Sequence, residues 1–265
     1  MKKLFSLLLG LVCLFSLTSC KKEETLIVYT EAGFAPFEYV DGNAIVGVDV
    51  DIMNKVGEKL GKKVEFKNVS FDIIVDTVAA GKLTNVGAAG LSITPARQEL
   101  VDFSKVYYQA NLYVIYSKTS GVNSKVMTDG NVGVYWSSLS DAKSIGVQGG
   151  TTADLFLGDE IAEGGSLEGV DKSDYDSLAI AVKDIGLSID YVIIDELPAK
   201  MLVEGNDGLA CLPLYYEGGE GAEDELAFDS YAICVTKGQE ELLNDVDENG
   251  VNGIQKLVNK HLGIE

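Results

Sequence analysis

The alternation of apolar and polar positions divides the chain beyond Thr25 into short strands and amphipathic helices. Leu26 to Tyr29 reads as a strand. The segment opened by Gly47-Val-Asp-Val-Asp51 carries Ile52, Val56 and Leu60 at one-turn intervals, the spacing of a helix with one buried face. Lys63 to Val69 alternates as a strand, Ile73 to Ala80 repeats the helical spacing, and Val86 to Ala89 is the end of a buried strand. Further strands are expected at Tyr107 to Tyr116, Ser144 to Val147, Asp190 to Ile194, Leu209 to Leu214 and Ser230 to Thr236. Helices are expected after Thr94, from Ala153, over Ser173 to Ile185, after Asp195, and through Ile254 to Leu262. Strands alternating with helices imply βαβ units and parallel sheets, an α/β fold. Ser117 to Ala142 interrupts the pattern. It is rich in Ser, Gly and Asn, has no sustained periodicity, and reads as a linker or an embellishment of the unit that follows.

The first residues have a different pattern. Lys2 and Lys3 precede an unbroken apolar run, Leu4 to Leu17. The run is shorter than the roughly 20 residues a spanning helix needs, so residues 1–19 read as an export signal. It ends in Leu17-Thr18-Ser19-Cys20, which resembles the bacterial lipobox. Cys20 is then the lipidated N-terminus of the mature chain, residues 20–25 are a polar tether, and the protein is anchored to a membrane rather than spanning it. The chain from Cys20 onwards allows one large domain or two of about 120 residues.

Charge and cysteine usage narrow the chemistry. The formal net charge is −20, and loss of the signal lysines makes it more negative still. Such a surface repels nucleic acid, and no basic stripe offsets it. Cys211 and Cys234 both lie in apolar, strand-like runs, compatible with an exported disulfide or with two buried thiols. The chain has one histidine, His261, and no C-x-x-C pattern, which argues against a zinc site and against a Ser/His/Asp triad. No metal or cofactor is expected.

Two stretches repeat one device. In Gly87 to Ser104, a strand ends, Gly90 lets the backbone approach something closely, Thr94 stands at an N-cap, Pro95 follows at the first helical position, and Arg97 lies in the first turn. A cation is disfavoured there by the helix dipole, so Arg97 wants an anionic partner, and its planar fork suits a carboxylate. In Gln148-Gly-Gly-Thr-Thr152, a strand again runs through glycines and hydroxyls into a helix start. Two such devices suggest two lobes facing each other. Asp195 ends another strand, where a carboxylate either faces a cleft or caps the next helix. In the loop after the first strand, Phe37 is expected to cap the core and Phe34 to face a ligand.

In this order, Phe34-Ala-Pro-Phe-Glu38, Gly47-Val-Asp-Val-Asp51, Gly90-Leu-Ser-Ile-Thr-Pro-Ala-Arg97, Asp102-Phe-Ser104, Gly150-Thr-Thr152 and Ile194-Asp-Glu196 resemble the polar amino-acid solute-binding proteins of ABC importers, the bacterial extracellular solute-binding family 3. The resemblance implies a periplasmic-binding-protein-like type II fold, with a ligand cleft between two lobes joined by two crossing strands. Lobe 1 would hold residues 26–114 and 229–265, and lobe 2 residues 115–228, with hinges near Tyr113 to Ser117 and Leu226 to Ser230. By the same resemblance Arg97 grips a ligand α-carboxylate. Ser92, Gly90 and the Gly150-Thr151-Thr152 turn add hydrogen bonds, and Asp195 takes the α-ammonium. Phe34 and Phe71 sandwich the side chain, and Glu31 meets its far end. The regions 117–144 and 244–265 depart from the family pattern.

The implied function is an extracytoplasmic, lipid-anchored monomer in the cell envelope, periplasmic or on the outer face of the cell membrane. It would bind a free amino acid and hand it to ABC-transporter permease subunits. Two aromatics and Glu31 suit a polar or basic side chain, while Gln148, Gly90 and Ile194 are compatible with glutamine. The alternatives are a dehydratase-like enzyme on the same fold, with Glu31 or Asp195 as general acid, and a ligand-sensing subunit.

Overall fold

The computed structural model describes residues 24–250 and 253–264; the expected signal, Cys20 and most of the tether lie outside them. Two sheets share one strand order. In the first, the order is Lys63–Asn68, Thr25–Thr30, Val86–Gly87, Cys234–Thr236 and Val101–Phe103. The first three strands are parallel, and Cys234–Thr236 runs against both of its neighbours. In the second, Asp171–Tyr175, Ser144–Gln148, Tyr191–Asp195, Tyr108–Ser117 and Leu209–Tyr216 repeat this order, and Val132–Tyr135 and Lys125–Val126 extend it. Each sheet thus places a strand arriving from the other half between its own third and fourth strands.

Each half has its own core. Val28, Phe37, Ile52, Val56, Val86, Ile233 and Val258 pack together in the first. Val114, Trp136, Leu139, Val147, Leu157, Ile193 and Leu214 do so in the second. The chain crosses between them along Tyr108–Ser117 and Phe228–Tyr231, which pair antiparallel over Tyr108–Asn111. The C-terminal helix Ile254–Leu262 returns to the first half, where Lys260 (2.7 Å) and His261 (3.1 Å) both reach Asp51 of the helix Val48–Leu60. The single histidine is therefore a packing and pairing residue. Among the described residues no helix is long and apolar enough to cross a membrane, and both Cys211 and Cys234 are free thiols.

Two expectations are corrected, and one left open between linker and embellishment is decided. Ser173 to Ile185 is not one helix: Asp171–Tyr175 is a strand parallel to Ser144–Gln148, and helix is confined to Leu178–Ala181. Pairing along an open sheet edge, reinforced by the Ser144–Ser173 hydroxyl contact at 2.8 Å, outweighs the local helical spacing. The late strand breaks after Tyr231, because its first part pairs with the crossing strand and its second with the first sheet. Ser117 to Ala142 is an embellishment rather than a linker: its two strands extend the second sheet, and Trp136 is buried in that lobe's core.

Candidate functional site

The carboxyl ends of both sheets face each other, which is where open α/β sheets bind ligands. The first wall begins with Glu31 and Phe34, just past the strand Thr25–Thr30. Phe37 is fully buried, and the Phe34 ring leans on it at 5.9 Å and on Tyr231 at 6.0 Å. Gly90 has φ +54°, and a Cβ there would lie 2.9 Å from the Phe34 ring, so this position needs glycine twice over. Thr94 caps the helix Pro95–Leu100 by accepting the Arg97 N–H at 3.2 Å.

The second wall follows the same logic. Gly150 takes φ +78°, and Thr151 caps the helix Thr152–Ile161 by accepting the Asp154 N–H. Asp195 stands at the N-cap of the helix Glu196–Glu204, yet its side chain makes no capping bond. Its carboxylate is buried, and its Oδ1 and the neighbouring Tyr231 hydroxyl find no partner besides each other. The capping explanation of Asp195 therefore fails.

Between the walls lies a narrow cavity of about 20 Å³, room for about one water. Glu31, Phe34, Phe71, Gly90, Ser92, Thr151, Thr152 and Asp195 line it, together with Glu38, Ala89 and Gln148. Gly150 lines an adjoining hollow with Asp72, Asp154, Asp174 and Asp176. Arg97 spans the two lobes. Its guanidinium donates to the Ser92 carbonyl and to the Gly150 carbonyl, each at 2.8 Å, and lies 5.6 Å from the Phe71 ring centre. Ser92 and Thr152, one from each lobe, have their hydroxyls 3.1 Å apart, and both donate to the carboxylate of Asp229 on the crossing strand.

The site is rich in buried acid. Burial raises the pKa of Glu31, opposed by the Gln148 side chain and the Gly33 N–H. Glu38 is fully buried, and neither of its oxygens has a donor. Burial, then the nearby charges of Asp49 and Glu31, push its pKa well up. Burial also raises Asp49, to about 6, although Asp49 accepts from the Tyr107 hydroxyl (2.6 Å) and the Gly90 N–H (3.0 Å). Asp195 is raised by burial and then by Asp229. Burial lowers Arg97, and Asp229 partly compensates.

The family model for bacterial extracellular solute-binding proteins, family 3, matches residues 26–256. The chain belongs to that family. Its fold is the two-lobed type II periplasmic-binding fold, and its place is extracytoplasmic. Membership sets the dehydratase reading aside: this is a solute-binding protein, not an enzyme. The chain is 28% identical to the arginine-binding extracellular protein ArtP of Bacillus subtilis, over 98% of each. It also superposes, with a TM-score of 0.74 and 27% identity, on an amino acid ABC transporter substrate-binding protein from Streptococcus pneumoniae bound to L-arginine, covering 91% of this chain and 95% of that one. A third similar structure is an ancestral arginine-binding protein bound to glutamine, with a TM-score of 0.72 and 30% identity, over 91% and 99% of the two chains.

Reading the sequence of this family member left Glu38, Asp49 and Asp229 without roles. Glu38 and Asp49 stood inside quoted motifs, and an acid following a core phenylalanine was a usable signal. Asp229 gave a weaker one, a lone acid in the run Phe228-Asp-Ser-Tyr231.

Proposed function

We propose that this protein captures a basic amino acid, with arginine foremost, and delivers it to the permease subunits of an ABC importer while tethered to the membrane through a lipid on Cys20. The observation that carries the ligand class is the charge of the cavity. Glu31, Glu38 and Asp195 line it, with no basic side chain in that lining; the Glu38 oxygens are buried without a protein donor, and Asp195 Oδ1 has only the Tyr231 hydroxyl beside it. A buried carboxylate without a partner is costly, and a ligand cation relieves that cost. An amino acid with a charged side chain brings two cations, one for the Asp195 end and one for the Glu31 and Glu38 end. Phe34 and Phe71 then offer ring faces to the side chain. The four aspartates of the adjoining hollow favour approach of the same charge.

The ligand carboxylate falls to Arg97, Ser92, the Gly90 backbone and the Gly150-Thr151-Thr152 turn. Supporting this, Arg97 already binds two carbonyls, one on each side of the cleft, and two lobe hydroxyls meet at one point. Lobe 1 is read as 26–114 with 229–265, and lobe 2 as 115–228, closing about the crossing strands. The similar arginine-binding protein of Bacillus subtilis and the similar L-arginine complex point the same way.

A thermal-shift screen of the twenty amino acids tests the proposal. A ligand at 100 times its Kd adds about 2.7 kcal/mol. Arginine is expected to give the largest shift, with lysine following. Arg97→Ala is expected to lose about 2–5 kcal/mol of binding. A screen in which only glutamine shifts the transition, or an Arg97→Ala variant with undiminished affinity, overturns the proposed ligand or the proposed carboxylate seat respectively.

A further inference from the structure

Asp229 sits where a ligand carboxylate would. Its Oδ2 accepts from the Ser92 hydroxyl of one lobe and the Thr152 hydroxyl of the other, and its Oδ1 accepts the Ser230 N–H at 2.6 Å. It is 7% exposed and belongs to the crossing strand Phe228–Tyr231. The next residues anchor it to the first wall: Ala232 N–H donates to the Leu91 carbonyl at 2.9 Å, beside Ser92. Its charge also acts on Arg97. One carboxylate therefore holds a hydroxyl from each lobe beside the guanidinium. This arrangement can exist only when the lobes are together.

We infer that Asp229 is an affinity-setting residue of the binding site, an internal surrogate for the ligand α-carboxylate that draws the lobes together and must yield its hydroxyls when an amino acid enters. The inference rests on the reading of Ser92, Arg97 and Thr152 as the carboxylate seat. The physical argument is competition. Two carboxylates cannot share the same two hydroxyl donors in a desolvated space without strong repulsion. A closed form held by Asp229 also lowers the fraction of molecules able to admit ligand, and apparent affinity falls by that fraction. The acid thus sets the affinity below the limit of the other contacts. It also gives the closed form a stabilising contact that does not depend on ligand.

The test uses the mature chain stripped of ligand by unfolding and refolding. Asp229→Asn keeps the size of the side chain and removes its charge. It is expected to raise affinity for L-arginine about tenfold in titration calorimetry. It is also expected to enlarge the ligand-free radius of gyration in small-angle scattering relative to the parent. Asp229→Ser is read in the same way should the Asn variant not fold, with circular dichroism as the check. A loss of arginine affinity overturns the inference and makes Asp229 a counter-charge for the ligand ammonium. An unchanged affinity with an unchanged radius overturns it too. Ser92→Ala separates the two levels. If it leaves arginine affinity intact, the carboxylate seat lies elsewhere and both readings fall. If it costs affinity while Asp229→Asn brings no gain, only the role of Asp229 falls. If the parent does not bind arginine, the proposed ligand fails and the ligand-free radius alone decides Asp229.

Discussion

Replacing Asp195 by Asn should move stability and binding in opposite directions. The Asp195 carboxylate is buried with only the Tyr231 hydroxyl beside it, makes no helix cap and faces the charge of Asp229. Each of these is a cost to the folded protein in the absence of a cation. The amide is nearly isosteric, carries no charge, and can donate to Asp229. Relief of one unpaired buried group is worth about 1–3 kcal/mol. At about 2–4 °C per kcal/mol for a chain of this size, the ligand-free Tm should rise by several degrees. The pH dependence has a definite sign. A carboxyl whose folded-state pKa is raised holds its proton more tightly when folded, so the parent loses stability as pH rises from the unfolded pKa through the folded one. The Asn variant lacks that loss, and its advantage should widen from pH 4 upwards. Binding goes the other way. Removing the partner of a buried ligand ammonium costs about 2–5 kcal/mol, roughly 30-fold to several-thousand-fold in Kd. Calorimetric melting across pH and titration with arginine measure both halves. A variant that melts lower at every pH, or binds within about threefold (~0.7 kcal/mol) of the parent, would refute the assignment and return Asp195 to a structural role.

Other predictions follow from the same geometry. Asp49, raised from 3.8 to about 6, should contribute a loss of stability on the order of 3 kcal/mol between about pH 4 and pH 6; denaturant unfolding at pH 4.5 and 7.5 should show a smaller difference in Asp49→Asn, and an unchanged difference counts against the buried acid pair. Gly90→Ala places an L-residue at φ +54°, costing about 1–2 kcal/mol, and sets a Cβ 2.9 Å from the Phe34 ring; both Tm and ligand affinity should fall, and loss of neither would mean the Phe34 wall adjusts freely. Cys20→Ala should release the protein from the membrane fraction, and mass spectrometry of the parent's N-terminus should find a diacylglyceryl group on residue 20; a variant that stays with membranes argues for another anchor.

The sequence by itself determined the local devices. Thr94-Pro95 was legible as a capped helix start and Gly150-Thr151-Thr152 as a turn into a helix, because such devices are chemistry within a few residues; Thr94 and Thr151 accept the Arg97 and Asp154 N–H groups. Gly90 was legible as a point of close backbone approach, because glycine has no Cβ. The strand ends that carry Glu31 and Asp195 followed from apolar runs meeting polar turns, and the order of the motifs carried the family and hence the fold. Tertiary structure decided what depends on pairing between distant segments. Asp171–Tyr175 became a strand because an open sheet edge lay beside it, a fact absent from its own spacing. Glu38 and Asp49 became neighbouring buried acids only when the strand Glu38–Asp41 and the helix Val48–Leu60 packed together. Asp229 met Ser92 and Thr152 across sequence separations of 137 and 77 residues, on a strand that crosses between the two halves. Local propensity acts over one or two helical turns, whereas burial and lobe contact act over the whole chain, so the helix caps could be read from sequence and the electrostatics of the cleft could not.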